Sequence, residues 1–214
     1  MTMSAAALWL NSTFSTFDQS VTIAVHRLYE SCGSWMTPFM EFVSILGKGG
    51  IFLIFISLLL LLLRPTRRYG TAMAVALAIG AIIVNLWLKV VISRPRPYAD
   101  INGLYYPLWV MLGSHTESDF SFPSGHTNAT FATMVPLFIL GRKKYSWLAL
   151  LFGVLMGVSR IYLVVHYPSD VLGGILTGTI AGLIGTLIAK GIPSTSRWYA
   201  WDVFSKQRKG GAHL

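Results

Sequence analysis

Apolar residues in this 214-residue chain are concentrated in five runs, which short polar segments separate. The runs cover about 50–63, 70–92, 124–140, 145–165 and 169–189. An α-helix needs roughly 20 residues to cross a bilayer, so the first run is short and must borrow residues from the segment before it. The pattern predicts an all-α, polytopic transmembrane helical bundle with five clear spans.

The first 49 residues have a weaker periodicity. Apolar residues recur at three- and four-residue steps within 20–46, where Arg27 and Glu30 interrupt them, and Gly47-Lys48-Gly49-Gly50 follows as a break. This pattern is typical of amphipathic helices that lie in or dip into the membrane interface. We therefore expect one membrane domain over 1–214, with an amphipathic N-terminal region over 1–49 and a basic tail over 190–214.

Composition agrees with a membrane protein, because 54% of residues are hydrophobic and only 12% are charged, against about 25% charged in soluble domains. The net charge of +9 could indicate nucleic acid, but the basic residues form no stripe on a polar surface. We expect membrane lipids, and no nucleic acid, as partners.

Eleven of the 17 basic residues fall in three segments that follow the first, third and fifth apolar runs. The positive-inside rule places such segments in the cytoplasm. The C-terminus is then cytoplasmic, and the joints after the second and fourth runs lie together on the extracytoplasmic face of the plasma membrane. The eleven are Arg64, Arg67, Arg68, Arg142, Lys143, Lys144, Lys190, Arg197, Lys206, Arg208 and Lys209.

The fifth run carries Gly174, Gly178 and Gly182 at four-residue steps. Small residues at this spacing let helix backbones approach closely in membranes. We interpret these glycines as a packing face and not as a chemical site.

The joint after the fourth run contains Ser159-Arg160, then His166 and Asp170. His166 and Asp170 are four residues apart, which brings a carboxylate to an imidazole if one helix runs through both. Pro168 favours a helix start at that point. The alternative is a structural pair that only satisfies itself at a helix end.

Lys89 and Arg96 lie seven residues apart at the end of the second run. On one helix they would share a face, and two cations there could clamp a polyanion. The alternative for such residues is snorkelling toward lipid headgroups, which we favour for Arg94.

The third run opens with Pro123-Ser124-Gly125-His126. A helix N-terminus offers free backbone N–H groups to an anion, and Gly125 permits close approach. His126 adds a group that titrates near neutral pH.

Three cations, helix N-terminal amides, two histidines and one carboxylate suit metal-free phosphoryl transfer, in which one imidazole attacks phosphorus and the other protonates the leaving oxygen. No cluster has metal-ligand spacing and no Walker loop is present. We expect neither a metal nor another cofactor.

These stretches resemble the signature of the type 2 phosphatidic acid phosphatase family over roughly 70–189. The resemblance implies a membrane lipid phosphatase, usually of six spans, that works through a phosphohistidine. It implies that His166 is the nucleophile, that Asp170 orients it and that His126 is the general acid. The matching phosphate-binding groups are Lys89, Arg96, Ser124, Gly125 and Arg160.

Two other functions compete with this one. The signature also occurs in soluble vanadium haloperoxidases, against which the long apolar runs argue. A non-catalytic lipid-binding or transport protein would not need both histidines and the aspartate. The substrate stays open between undecaprenyl diphosphate, phosphatidylglycerophosphate and phosphatidic acid, and we expect the loop over 98–122 to cover the site.

Overall fold

Helices make up nearly all of the regular structure in the computed structural model, which describes residues 3–200. The α-helices are α1 (Ala5–Thr13), α2 (Ser15–Cys32), α3 (Met36–Gly47), α4 (Ile51–Leu62), α5 (Arg67–Ala81), α6 (Lys89–Ile92), α7 (Tyr105–Met111), α8 (Gly125–Leu140), α9 (Lys143–Tyr162), α10 (Pro168–Gly191) and α11 (Arg197–Ala200). A π-helix (Ile82–Leu88) joins α5 to α6, and short 3-10 turns cover Lys48–Gly50 and Pro97–Ala99.

Four helical segments among the described residues are long and apolar enough to cross a membrane: Met36–Leu62, Arg67–Ala99, Lys143–Tyr162 and Pro168–Gly191. The predicted all-α membrane bundle is confirmed, but five spans is slightly too high a count. The run at 124–140 forms α8, which has 16 residues. At this length the helix rises about 24 Å, less than the roughly 30 Å of a hydrocarbon core.

The first span extends back into the N-terminal region, as the shortness of the apolar run at 50–63 suggests. Helix α3, expected to be an amphipathic helix at the interface, continues through the Lys48–Gly50 turn into α4 and forms one crossing with it. Gly49 and Gly50 have φ of +59° and +66°, and glycine adopts this left-handed conformation without steric cost. The chain therefore changes direction at this point while the crossing continues.

Helix α10 lies at the centre of the bundle, where it packs against α8 and α5. A Cβ on Gly174 would lie 2.7 Å from the Ser124 carbonyl oxygen, and one on Gly182 would lie 2.8 Å from Val135 Cβ. The glycines thus allow the close helix packing that their spacing predicts.

The three basic segments meet at one end of the bundle. Arg67 Nη1 donates to the Trp198 carbonyl at 3.0 Å, Arg68 Nη2 donates to the Ile192 carbonyl at 3.2 Å, and the Tyr69 hydroxyl donates to the Leu140 carbonyl at 2.8 Å. The start of α5 and the ends of α8 and α10 therefore lie together. The tail residues Lys206, Arg208 and Lys209 are outside the described residues.

The glycine packing gives a stability prediction. Gly182→Ala inserts a methyl group where Val135 already is, so we expect a loss of about 1–3 kcal/mol from overpacking. Gly191→Ala is the matched control in the same helix, because a Cβ there meets nothing within 4 Å. Thermal unfolding of both variants in detergent should show a lower midpoint for Gly182→Ala alone. Equal midpoints would contradict the packing role.

Candidate active site

A sharp turn between α9 and α10 positions His166. Val164 in this turn has φ of +53°, an unusual conformation for a β-branched residue, and its side chain is buried in an apolar cluster with Met36 and Leu112. Helix α10 begins at Pro168, as predicted, so it does not run through His166. The predicted pair still meets, with His166 Nδ1 3.5 Å from Asp170 Oδ2.

Asp170 is fully buried and accepts three hydrogen bonds besides its approach to His166. The donors are Arg94 Nη1 at 2.6 Å, Ser121 Oγ at 2.5 Å and the Tyr167 backbone N–H at 2.9 Å. A carboxylate with this many partners has a fixed orientation. Asp170 can therefore hold the imidazole of His166 in one orientation.

Arg94 does not snorkel, and that interpretation is wrong. Its side chain is 1% exposed, and Nη2 donates to Asp18 at 2.9 Å while Nη1 contacts Asp170. Its Nε also donates to Asn11 at 2.8 Å. The guanidinium is retained in the interior because two carboxylates compensate its charge.

Asp18 is a residue that sequence reasoning missed. Both of its carboxylate oxygens are used, since Oδ1 accepts from the Ser169 backbone N–H and Oδ2 accepts from the Ser169 hydroxyl, each at 2.8 Å. Helix α2 is thereby tied to the start of α10. One signal could have identified Asp18: it is the first charged residue of the chain, in an otherwise uncharged stretch of 26 residues.

Lys89 and Arg96 converge, but for a different reason than the one predicted. Helix α6 ends at Ile92, where Ser93 takes φ of +47°, so Arg96 is not on the same helix as Lys89. Both side chains instead form ion pairs with Asp119, a residue of the loop before α8. Arg96 Nη1 also donates to the Val165 carbonyl at 2.8 Å, which holds it beside His166.

Arg160 is the third cation, and it pairs with a second acid of the same loop. Its guanidinium contacts Glu117 and the hydroxyl of Ser44 in α3. Burial raises the pKa of Asp119, but its contacts with Lys89 and Arg96 outweigh this and hold the pKa below the ordinary value. Both loop acids thus bring carboxylate oxygens to groups that could bind phosphate.

Ser124 is the N-cap of α8, and its hydroxyl accepts from the Thr127 backbone N–H at 3.4 Å. In this arrangement Ser124 stabilises the helix start, and its contact with phosphate stays a prediction. Gly125 leaves the helix N-terminus open to the cations, because a Cβ there would lie 3.5 Å from Lys89 Nζ.

The imidazole of His166 is arranged to act through Nε2. Burial, with Arg96 and Arg160 nearby, lowers the pKa of His166 well below its ordinary value. A neutral ring with Nδ1–H toward Asp170 presents an Nε2 lone pair, which faces Arg96 Nη1 at 3.0 Å. This is the protonation state that a nucleophile needs.

These residues surround one cavity of about 480 Å³. The structure brings together five of the eight predicted site residues on its wall, while Asp170 lies behind His166, Arg160 reaches the wall through Glu117 and Ser124 caps α8. Within residues 3–200 no group of three or more His, Cys, Asp or Glu side chains could hold a metal ion. The five lining residues are Lys89, Arg96, Gly125, His126 and His166.

Comparison with known proteins agrees with this geometry, because residues 65–192 match the PAP2 superfamily. The chain belongs to this family. An undecaprenyl-diphosphatase of Sulfolobus acidocaldarius is 33% identical over 141 residues, which are 65% of this chain and 64% of that protein. The match therefore spans less than two thirds of that relative's length.

Two further relatives align over more of their length. Phosphatidylglycerophosphatase B of Bacillus subtilis is 29% identical over 82% of this chain and 84% of that protein. The crystal structure of a transmembrane PAP2-type phosphatidylglycerolphosphate phosphatase from Bacillus subtilis covers 89% of this chain and 93% of its own, with 25% identity and a TM-score of 0.66.

The buried Arg94 network gives a second stability prediction. Asp18→Ala leaves Arg94 with one carboxylate fewer in a buried position, and breaking such a pair typically costs roughly 3–5 kcal/mol. Asp100→Ala, which removes an exposed acid, is the control. We expect the unfolding midpoint in detergent to fall strongly for Asp18→Ala only, and similar midpoints would show that Asp18 does not support the site.

Proposed function

We propose that this protein is an integral membrane lipid phosphatase that hydrolyses a lipid diphosphate or phosphomonoester through a phosphohistidine. The observation that carries the proposal is the position of His166. His166 lies on a cavity lined by Lys89 and Arg96, and Asp170 lies behind the ring, 3.5 Å from Nδ1. His126 lies on the same cavity, where burial and the nearby Arg160 lower its pKa in the free enzyme. We propose that it gains its proton as the anionic phosphate binds and then serves as the general acid.

The first half-reaction forms the phosphoenzyme. The terminal phosphate of the lipid binds Lys89, Arg96 and Arg160, whose charges stabilise the transferring group. The Nε2 lone pair of His166 attacks phosphorus, the bond from phosphorus to the leaving oxygen breaks, and that oxygen takes a proton from His126.

The second half-reaction reverses the proton transfer. Neutral His126 accepts a proton from water, the oxygen attacks phosphorus, and the electron pair of the P–N bond returns to His166. Inorganic phosphate leaves, and His126 is protonated again. Protein cations supply all of the charge compensation in this mechanism, so we propose that it needs no metal.

Two acidic residues of the loop before α8 affect how the substrate enters the cavity. Asp119 contacts Lys89 and Arg96, and Glu117 contacts Arg160, so their carboxylates hold the positions that phosphate oxygens would take. We propose that the loop covers the site in the free enzyme and that the substrate phosphate displaces both acids.

The substrate class follows from the surroundings of the cavity, since a membrane-embedded bundle receives its substrate from the lipid phase. Undecaprenyl diphosphate, phosphatidylglycerophosphate and phosphatidic acid all have the required phosphate. The names of the relatives support the first two. The enzyme is proposed to lie in the plasma membrane with its site on the extracytoplasmic face, opposite the basic end.

We expect substitution of His166 and substitution of His126 to have different effects on lipid monophosphates and lipid diphosphates. His166→Ala should form no phosphoenzyme and release no phosphate. His126→Ala should lose roughly 10²- to 10⁴-fold on a lipid monophosphate and less on a lipid diphosphate, whose leaving group needs less protonation. The activity of Asp170→Asn should lie between those of His166→Ala and His126→Ala, because the imidazole is present but misoriented.

Single-turnover trapping with labelled substrate in EDTA measures these effects, since phosphohistidine is acid-labile and base-stable. Label trapped by His166→Ala but not by His126→Ala would reverse the two roles. Loss of wild-type activity in EDTA with recovery on adding magnesium would exclude the metal-free mechanism.

The loop acids should compete with anions. Asp119→Asn removes a charged competitor from Lys89 and Arg96, so we expect inhibition by orthovanadate to strengthen several-fold. Asp100→Asn, which changes an acid outside the cavity wall, should leave inhibition as in the wild type. Weaker inhibition of Asp119→Asn would mean that Asp119 organises the cations and does not compete for them.

Membrane orientation can be tested at two exposed positions on opposite ends of the bundle, Ser114 and Lys143. In a Cys32→Ser background, a cysteine at 114 should react with an impermeant maleimide added to intact cells. A cysteine at 143 should react only after the cells are opened. The reverse pattern would place the active site in the cytoplasm.

A further inference from the structure

The active-site cavity has two chemically different ends. One end carries the cations and histidines already described. The other extends between α4, α5 and α8, where apolar side chains line it, among them Leu58, Leu77 and Ala78. Two carboxamides, Asn85 and Asn128, also line the cavity, and the mechanism described above does not use them.

Asn85 lies in the π-helix, four residues before Lys89 and therefore deeper in the membrane span. Its side chain is exposed, as are the neighbouring Leu86 and Trp87, so an amide is placed among apolar residues. Asn85 Oδ1 and Lys89 Nζ lie 3.8 Å and 3.5 Å from the position that a Cβ on Gly125 would take. The amide is thus adjacent to the phosphate-binding end. π-helical turns are frequent at functional sites.

Asn128 lines the same cavity from a different helix, α8. It lies three residues after Gly125, about one turn further into the bundle, and it is 4% exposed. Its carboxamide rests on α5 at Gly80, where a Cβ would be 2.7 Å from Nδ2. Buried polar side chains normally have partners, yet Asn128 Oδ1 has no hydrogen-bond partner within residues 3–200. This atom is an acceptor, so a phosphate oxygen would be bound by the Nδ2 donor of the same carboxamide.

We propose that Asn85 and Asn128 bind the inner phosphate of a lipid diphosphate, the one attached to the hydrocarbon chain. The inference rests on the proposed phosphatase function and assigns its preferred substrate class. With the terminal phosphate on the cations and the chain along the apolar wall, the inner phosphate lies about one helical turn below Lys89. Asn85 Oδ1 faces this end, and a half-turn of the carboxamide about the Cβ–Cγ bond brings Nδ2 to the same place, so that both side chains can donate N–H groups to the phosphate oxygens.

The amides also act on the reaction itself. When the bond from the terminal phosphorus to the bridging oxygen breaks, the electron pair stays on the bridging oxygen and the inner phosphate gains negative charge. Positioned N–H donors stabilise charge that develops in this way. A lipid monophosphate has no inner phosphate, so the amides offer it no comparable contact.

Farnesyl diphosphate and farnesyl monophosphate are the matched probes, because they share one hydrocarbon chain and differ only in the inner phosphate. The full-length chain in detergent is assayed for phosphate release with each. A hydrogen bond to a charged group corresponds to about 10- to 100-fold in an equilibrium or rate. We expect Asn85→Ala and Asn128→Ala each to lower kcat/KM for the diphosphate by at least about 10-fold, with little change for the monophosphate.

Two more variants separate this role from a structural one. Asn85→Asp places a carboxylate beside the inner phosphate and should reduce diphosphate turnover further than Asn85→Ala. Leu58→Ala alters only the apolar wall and should affect both probes equally. Because Asn85 is exposed, Asn85→Ala decides the question even if Asn128→Ala fails to fold.

Equal losses on the two probes, or no loss on the diphosphate, would overturn the inference and leave the proposed phosphatase intact. Failure of the wild type on both probes, with phosphate release from phosphatidylglycerophosphate or phosphatidic acid, would overturn this inference alone. Failure on all of these lipids would overturn the proposed function, and this inference with it.

Discussion

The site depends on one buried electrostatic interaction, the pairing of Arg94 with Asp18 and Asp170. Each of the three side chains is at most 2% exposed, so none could keep its charge in this interior without the others. The pairing joins α2, the segment after α6 and the start of α10. In the proposed mechanism Asp170, 3.5 Å from Nδ1, orients His166, so the position of the nucleophile depends on contacts on the side of the ring that faces away from the phosphate.

On the opposite side of His166 the charged groups are arranged differently. There the cations Lys89, Arg96 and Arg160 meet acids from a loop and not from the helical framework. A buried carboxylate lies behind the imidazole, and in the proposed mechanism the substrate displaces the loop carboxylates in front of it. The buried carboxylate belongs to a helix start, whereas the carboxylates that contact the cations belong to a loop, and loops on a helical scaffold often carry binding residues.

Local spacing predicted much of this site, and tertiary pairing accounts for what it missed. Pro168 at a helix start, the helix start near Ser124 and the approach of His166 to Asp170 all depend on residues a few positions apart, so the sequence carries them directly. Arg94 was misread because its partner Asp18 lies 76 residues earlier, and no local pattern connects the two. The meeting of Lys89 with Arg96 was predicted from a continuous helix that ends at Ile92, and Asp119 in fact brings them together.

The long sequence separation within the Arg94 network has a consequence for biogenesis. Asp18 leaves the ribosome first, Arg94 follows 76 residues later, and Ser169 follows 151 residues after Asp18. Asp18 can pair with Arg94 before α10 is made, but its contacts with Ser169 form only after the start of α10 has been synthesised. Asp170, which orients His166 in the proposed mechanism, is synthesised at the same stage. A chain truncated before α10 therefore has Lys89, Arg96 and Arg160 but lacks the carboxylate that faces His166 Nδ1.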